Sequence, residues 1–109
     1  MTVEQLSSVF GALADPTRRA ILIRLADGDL AVRDLAAPFP MSQPAVSRHL
    51  KVLEGAGLIT RSRRATARLS HLEPEPLREA TSWLARYQAL WDERFDRLDE
   101  VLASLQRNP

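Results

Sequence analysis

The sequence predicts a mainly α-helical domain with a small β-hairpin: about five helices and one two-stranded antiparallel pair, in a single domain over residues 1–109. Three observations predict it. Apolar residues recur at three- and four-residue spacing through most of residues 3–53 and again through 76–105, whereas residues 58–72 shift towards alternation. Only four glycines interrupt the chain, and an apolar share of 45% with 27% charged residues is that of a folded, helix-rich protein. Start and stop signals, notably Asp15-Pro16, Ser42 and the pair Gly55 and Gly57, divide the helical stretches from one another.

Val3, Leu6, Val9, Phe10 and Leu13 line one face of a first helix over about 3–13, with Thr2 as its N-cap. Asp15 followed by Pro16 opens a second, because Asp accepts from free N–H groups and Pro is already shaped for the first helical position. This helix runs to about Ala26, with Ala20, Ile21, Leu22 and Leu25 inward, Arg18, Arg19 and Arg24 available to solvent, and Asp27-Gly28-Asp29 ending it. A short third helix over about 32–37 buries Val32, Leu35 and Ala36. Ala31 is a weak cap for it, and Pro38 and Pro40 close it.

Ser42 is a strong N-cap for the fourth helix, Pro44 fits its first turn, and Val46, Leu50 and Leu53 form its buried side. Gly55 and Gly57 are expected to supply the left-handed conformations that stop it. Leu58-Ile59-Thr60 and Ala67–Leu72 then form the two strands of the hairpin, whose tip at Arg64-Ala65-Thr66-Ala67 lacks the glycine that tight turns favour. Pro74 and Pro76 punctuate the chain before a long helix over about 76–105. In that helix Leu77, Leu84, Trp91, Leu98 and Leu105 recur every seven residues, and Ala80, Tyr87, Phe95, Val101 and Leu102 widen the stripe.

The net charge of +1 is unevenly spread. Residues 1–32 carry three Arg/Lys against four Asp/Glu, residues 33–70 seven against two, and residues 71–109 five against eight. Positive charge therefore gathers in the middle, as a footprint for phosphate would. The absence of cysteine removes disulfides, thiolate metal ligands and a Cys nucleophile together. No apolar run approaches the roughly 20 residues that span a bilayer, and the first ten residues lack a signal-peptide pattern, so a cytoplasmic protein with no membrane partner is expected. Neither a catalytic triad nor a phosphate loop is present. Asp92, Glu93, Asp96, Asp99 and Glu100 interleave with Arg94 and Arg97 at ion-pair spacing, which reads as a solvated helix face, and no enzyme is predicted.

A short helix, a Pro-bounded turn, a capped helix and a basic hairpin follow one another in the order of a winged helix-turn-helix. On the capped helix the residues free for recognition are Ser42, Gln43, Pro44, Ala45, Ser47, Arg48 and Lys51. Gln and Arg match the edges of adenine and guanine, Ser bonds a base or phosphate, a helix start attracts phosphate, and Ala45 is small enough to meet a thymine methyl. In the hairpin Arg61, Arg63, Arg64 and Arg68 fall within eight residues, and no acid lies between Glu54 and Glu73. Such self-repulsion argues for phosphate or minor-groove contact over a merely solvated wing.

The strings Leu13-Ala14-Asp15-Pro16-Thr17-Arg18-Arg19 with Ile21-Leu22, Ser42-Gln43-Pro44-Ala45-Val46-Ser47-Arg48-His49-Leu50-Lys51-Val52-Leu53, and Ala56-Gly57-Leu58-Ile59 resemble the ArsR-type winged-helix repressors. The likeness covers nearly the whole chain. It implies a homodimer joined by the first and last helices, bound to a pseudo-palindromic operator in double-stranded DNA and repressing transcription until an effector, here a small molecule of unspecified chemistry, releases it. Val3, Leu6 and Phe10 on the first helix, and Leu84, Tyr87, Trp91, Phe95, Leu98 and Leu102 on the last, are the dimer interface expected on this basis.

Metal-sensing members of that family carry Cys pairs in the helix before the recognition helix, or His and carboxylate pairs on the last helix. Here Ala31-Val32-Arg33-Asp34-Leu35 occupies the first place and the last helix has no His, so the chain resembles a metal-independent, Cys-free branch with no metal and no cofactor. His49 and His71 lack ligand-site spacing, and His49 is expected to pack or hydrogen-bond beneath the hairpin. Trp83, Tyr87, Trp91 and Phe95 read either as dimer core or as the walls of a cavity for an organic effector. The alternative function is an adaptor that binds protein, not DNA, through the long helix.

Overall fold

Thr2 begins the first helix as a reciprocal capping box: its hydroxyl accepts the Gln5 N–H at 3.1 Å while its own N–H donates to Gln5 Oε1 at 2.8 Å. From there the computed structural model, which describes residues 1–64 and 67–107, runs α1 (Val3–Leu13), α2 (Pro16–Leu25), β1 (Leu30–Ala31), α3 (Val32–Ala36), α4 (Gln43–Gly55), β2 (Ile59–Arg64), β3 (Ala67–Leu72) and α5 (Pro74–Arg107). The chain divides into two compact units, Met1–Arg78 and a second that begins at Glu79 within α5.

In the first unit the apolar faces of four helices and the base of the hairpin meet. Ile21 of α2, Leu35 of α3, Leu50 and Leu53 of α4, and Leu58 with Ile59 at the entry to β2 are fully buried. Ala20 and Val32, expected inside, are half-buried at the rim. Burying an aliphatic side chain of this size stabilises by about 1.5–3 kcal/mol, so this cluster is what fixes α4 against α1, α2 and α3.

The three arginines of α2 reach solvent, Arg19 exposed and Arg18 and Arg24 half-buried, but each is also tied to a neighbouring helix. Arg18 donates from Nε to the Ala12 carbonyl at 2.7 Å and from Nη2 to the Gly11 carbonyl at 3.1 Å, and Arg19 Nη1 reaches the Leu13 carbonyl at 2.7 Å. Arg24 Nη1 donates to the Asp34 and Leu35 carbonyls at 2.7 and 3.1 Å. The last carbonyls of a helix have no partner within it and carry the negative end of its dipole. One helix thus caps the C-termini of both α1 and α3.

The wing is a three-stranded antiparallel sheet in the order β1-β3-β2, not the two-stranded pair that was expected. Leu30 and Ala31 pair with Ser70 and Leu69. A two-residue strand has no periodicity to detect, and only its partner reveals it. At the other end of α4 the stop is a Schellman arrangement, with the Leu58 N–H on the Leu53 carbonyl at 3.0 Å and the Gly57 N–H on the Glu54 carbonyl at 2.9 Å. Gly57 has φ +77° and needs to be glycine, whereas Gly55 is an ordinary residue of the last turn and supplies no left-handed conformation.

Pro74 and Pro76 also change role, since they lie in the first turn of α5, where a missing N–H costs no hydrogen bond, and the helix starts two residues earlier than expected. From Glu79 onward α5 presents an aromatic ladder at four-residue spacing. Trp83 and Tyr87 stack at 5.5 Å, Tyr87 and Trp91 meet edge to face at 6.0 Å, and Trp91 and Phe95 lie 5.9 Å apart. Leu84, Tyr87, Trp91, Phe95, Leu98 and Leu102 are all exposed in the single chain.

Candidate nucleic-acid interface

Helix geometry separates the two sides of α4. At 100° per residue Val46, Leu50 and Leu53 point one way, into the core, and Pro44, Arg48 and Lys51 point the other. Ser47 and Lys51 follow at four-residue spacing along one edge of that outer side, Ala45 and Val52 flank the other edge, and Gln43, which the same period sets above Leu50, is exposed in the first turn. Gln43, Pro44, Arg48 and Lys51 are exposed, while Ala45 and Ser47 are half-buried. Ser42 is exposed too, but its hydroxyl accepts the Ala45 N–H at 3.3 Å, so its first task is to cap the helix. The structure therefore gathers Pro44, Ala45, Ser47, Arg48 and Lys51 onto one side, leaves Ser42 and Gln43 exposed at the helix start, and adds Val52, exposed at the edge of that side. An apolar side chain there suits a thymine methyl, a signal that a search for polar base-readers overlooks.

The wing register decides which arginines act together. Residues directly opposite on an antiparallel pair share a face, so Ile59 with Leu72, Arg61 with Ser70 and Arg63 with Arg68 lie on one side. That side is buried at its base and opens outward. Ser70 is fully buried, Arg61 is half-buried with its Nε inside, and Arg63 and Arg68 are exposed, facing each other across the strands. Two like charges in register oppose the pairing of the strands. Arg64 continues β2 in the backbone, but its side chain and the expected wing tip at Ala65 and Thr66 lie outside the described residues.

Both histidines are engaged by partners that the sequence did not suggest. Among the described residues the polar partners of His49 lie away from the hairpin: its Nδ1 is 3.3 Å from Arg18 Nη1 and 3.9 Å from Asp15 Oδ2, at the junction of α1 and α2. Asp15 caps α2 by accepting the Arg18 N–H at 3.0 Å, and this backbone hydrogen bond, more than any attraction to the nearby His49 and Arg18 side chains, holds its carboxyl below the usual aspartate value. His71 Nδ1 donates to Asp29 Oδ1 at 2.6 Å and fastens β3 to the turn that leads into β1. That hydrogen bond first, then the Asp29 charge, raise the His71 pKa above the ordinary histidine value against the opposing effect of desolvation, with a lesser push from Glu73. Among the described residues no group of three or more His, Asp or Glu side chains is placed to hold a metal ion.

The bacterial regulatory protein model of the arsR family matches residues 15–61, which run from the cap of α2 to the third residue of β2. The HTH-type transcriptional regulator Rv2034 of Mycobacterium tuberculosis is 50% identical over 76 residues, 70% of this chain and 71% of that protein. The chain belongs to the ArsR family. It is also similar to the transcriptional repressor SdpR of Bacillus subtilis, 34% identical across 75% of this chain and 91% of the repressor. A crystal structure of an ArsR family transcriptional regulator superposes with a TM-score of 0.78 at 42% identity, covering 84% of this chain and 95% of the other. The homodimeric winged helix-turn-helix DNA-binding domain Mb0332 of Mycobacterium bovis does so with a TM-score of 0.64 at 28% identity, covering 87% and 85%. This ArsR-family chain is a DNA-binding transcriptional regulator with a winged helix-turn-helix fold. No helix among its described residues is long and apolar enough to cross a membrane.

Proposed function

We propose that the protein is a homodimeric repressor that binds a pseudo-palindromic operator, inserting α4 in the major groove and laying the wing along the adjacent backbone. One observation carries this reading. α4 exposes Gln43 at its start and Arg48 and Lys51 on its outer side, and the hairpin that follows it directly holds Arg63 and Arg68 in exposed register with no acid between Glu54 and Glu73. In this reading Gln43, Ala45, Ser47 and Arg48 meet base edges, Ser42 and Pro44 seat the helix start against phosphate, and Lys51, Arg61, Arg63, Arg64 and Arg68 bind phosphate or the minor groove.

The second copy takes up the exposed α5 face of Leu84, Tyr87, Trp91, Phe95, Leu98 and Leu102, a contiguous apolar surface larger than scattered exposed residues would form. Val3, exposed on α1, and the half-buried Leu6 and Phe10 are assigned to the same association. The homodimeric state named for the Mycobacterium bovis relative supports this association, and the repressor function named for the Bacillus subtilis one supports the repressor reading. We assign no catalytic activity and no resident metal or cofactor, place the protein in the cytoplasm, and infer release from DNA by a small-molecule effector.

A gel-shift titration with the DNA upstream of the chain's own coding region tests the reading. Tight, salt-sensitive binding that weakens in Arg48→Ala is expected. No duplex binding, or binding indifferent to that change, would favour a protein-binding adaptor.

A further inference from the structure

We propose that Arg18 and His49 position the recognition helix through the cap of α2, and that the fit holds only while the His49 ring is neutral. The proposal rests on α4 as the helix that reads DNA. A guanidinium has donors and no acceptor, so the 3.3 Å approach of Arg18 Nη1 to His49 Nδ1 requires a lone pair on Nδ1 and places the ring proton on Nε2. The same guanidinium is already fixed by the Ala12 and Gly11 carbonyls at 2.7 and 3.1 Å. The ring therefore carries the position of the α1 terminus across to α4. His49 directly follows Arg48, so any rotation of α4 that changes the ring contact also re-aims the Arg48 side chain.

The charged groups facing the ring are Arg18 and Asp15. From α1 come only the two carbonyls held by Arg18, and among the described residues no charged side chain of α3 or β2 hydrogen-bonds or ion-pairs with it. A proton on Nδ1 removes the acceptor and sets two cations side by side. The protonated ring then has one anionic partner, Asp15 Oδ2 at 3.9 Å, which is already engaged as the cap of α2 at 3.0 Å from the Arg18 N–H. Drawing Asp15 to the ring competes with that cap. Acid thus loosens the seating of α4 while leaving the attraction between wing and phosphate in place. Base discrimination falls and non-specific binding persists.

Two measurements on the full chain test this. Long-range 1H–15N spectra of the protein without DNA are expected to show the His49 proton on Nε2 at about pH 8. A proton on Nδ1 overturns the proposal, whatever the DNA experiments give. The second measurement is the ratio of affinities for a duplex selected by the protein from a random pool and for a scrambled duplex. Taken at constant salt between about pH 8 and about pH 5.5, this ratio is expected to fall roughly tenfold in the wild type. In His49→Asn an amide oxygen replaces the Nδ1 acceptor and does not titrate, so the high-pH ratio is kept and the pH dependence disappears. His71→Asn keeps the wild-type slope.

A flat wild-type ratio overturns the proposal, and so does a slope that survives in His49→Asn or vanishes in His71→Asn. If His49→Asn does not fold, Arg18→Lys takes its place. It retains the charge but cannot serve two carbonyls and the ring together, so the ratio should drop at about pH 8 with non-specific affinity unchanged. A wild-type ratio in Arg18→Lys overturns the proposal. If no duplex is selected, the reading of α4 as a DNA-reading helix fails instead, and the spectra alone decide the state of the pair.

Discussion

Arg48 and Arg63 are both exposed arginines, yet the structure gives them different prospects. Arg48 stands on the outer side of a helix whose inner side is locked by Val46, Leu50 and Leu53, so its reach is defined to within its own rotamers. Arg63 is exposed near the far end of a narrow hairpin and faces another arginine. Removing Arg48 should therefore relax discrimination at one base position by about 1–3 kcal/mol. Removing Arg63 should weaken every duplex alike and flatten the plot of log affinity against log salt by about one unit. Titrations of Arg48→Ala and Arg63→Ala against single-base operator variants at several salt concentrations check this, and equal behaviour of the two would contradict the division. His71 makes a separate forecast. Its folded pKa lies above the unfolded value, so the stability it contributes with Asp29 is complete below about pH 6.5 and is lost as pH rises through the raised value. The melting-temperature gap between wild type and His71→Asn should accordingly be wider at about pH 5.5 than at about pH 8.5. A gap that widens with pH would reverse the assignment.

Among the elements, α4 is the one whose local signals and tertiary packing agree most fully, Gly55 aside. Ser42 caps it, Gly57 ends it, and Leu50, with no exposed surface, anchors its middle. Ser42→Ala should cost about 1 kcal/mol and Leu50→Ala about 2–5 kcal/mol in urea unfolding. A cost from Ser42→Ala as large as that from Leu50→Ala would mean that the hydroxyl does more than cap the helix. The bounds of α1 and α4 were legible in the sequence because caps act within three or four residues and leave a mark there. The outward placement of Arg48 and Lys51 was legible for a similar reason, since helical period alone separates them from Val46 and Leu50, whereas Gln43, one heptad before Leu50, is exposed through its place in the first turn. What escaped is what depends on a neighbouring element. Periodicity turned Arg18, Arg19 and Arg24 away from their own helix's core but was silent on the carbonyls they meet, and β1 is too short to carry a pattern. The partners of His49 and His71, 31 and 42 residues away, were likewise beyond local inference. Pro74 and Pro76 misled because a proline that ends one element can also open the next.

At the scale of the whole molecule the proposed dimer makes the sharpest demand. A charge placed at Leu98, in the middle of the apolar row on α5, should keep the chain monomeric at micromolar concentration by sedimentation. The same Leu98→Glu change should abolish the preference for a duplex carrying two half-sites, whose recognition helices are expected about 34 Å apart, over one carrying a single half-site. A Leu98→Glu protein that still dimerises would remove α5 from the interface.

The register of the wing adds a coupling between folding and binding. Arg63 and Arg68 repel each other across β2 and β3 in the free protein, and in the proposed complex that repulsion would be relieved as phosphates neutralise them. On that proposal the hairpin should be more stable on DNA than off it, and by thermodynamic reciprocity the duplex should be bound more tightly by the strain it removes. Arg68→Thr should raise the stability of the free protein by about 0.5 kcal/mol while weakening its hold on DNA. Selection for a sturdier wing and selection for a better repressor would therefore pull this pair of residues in opposite directions.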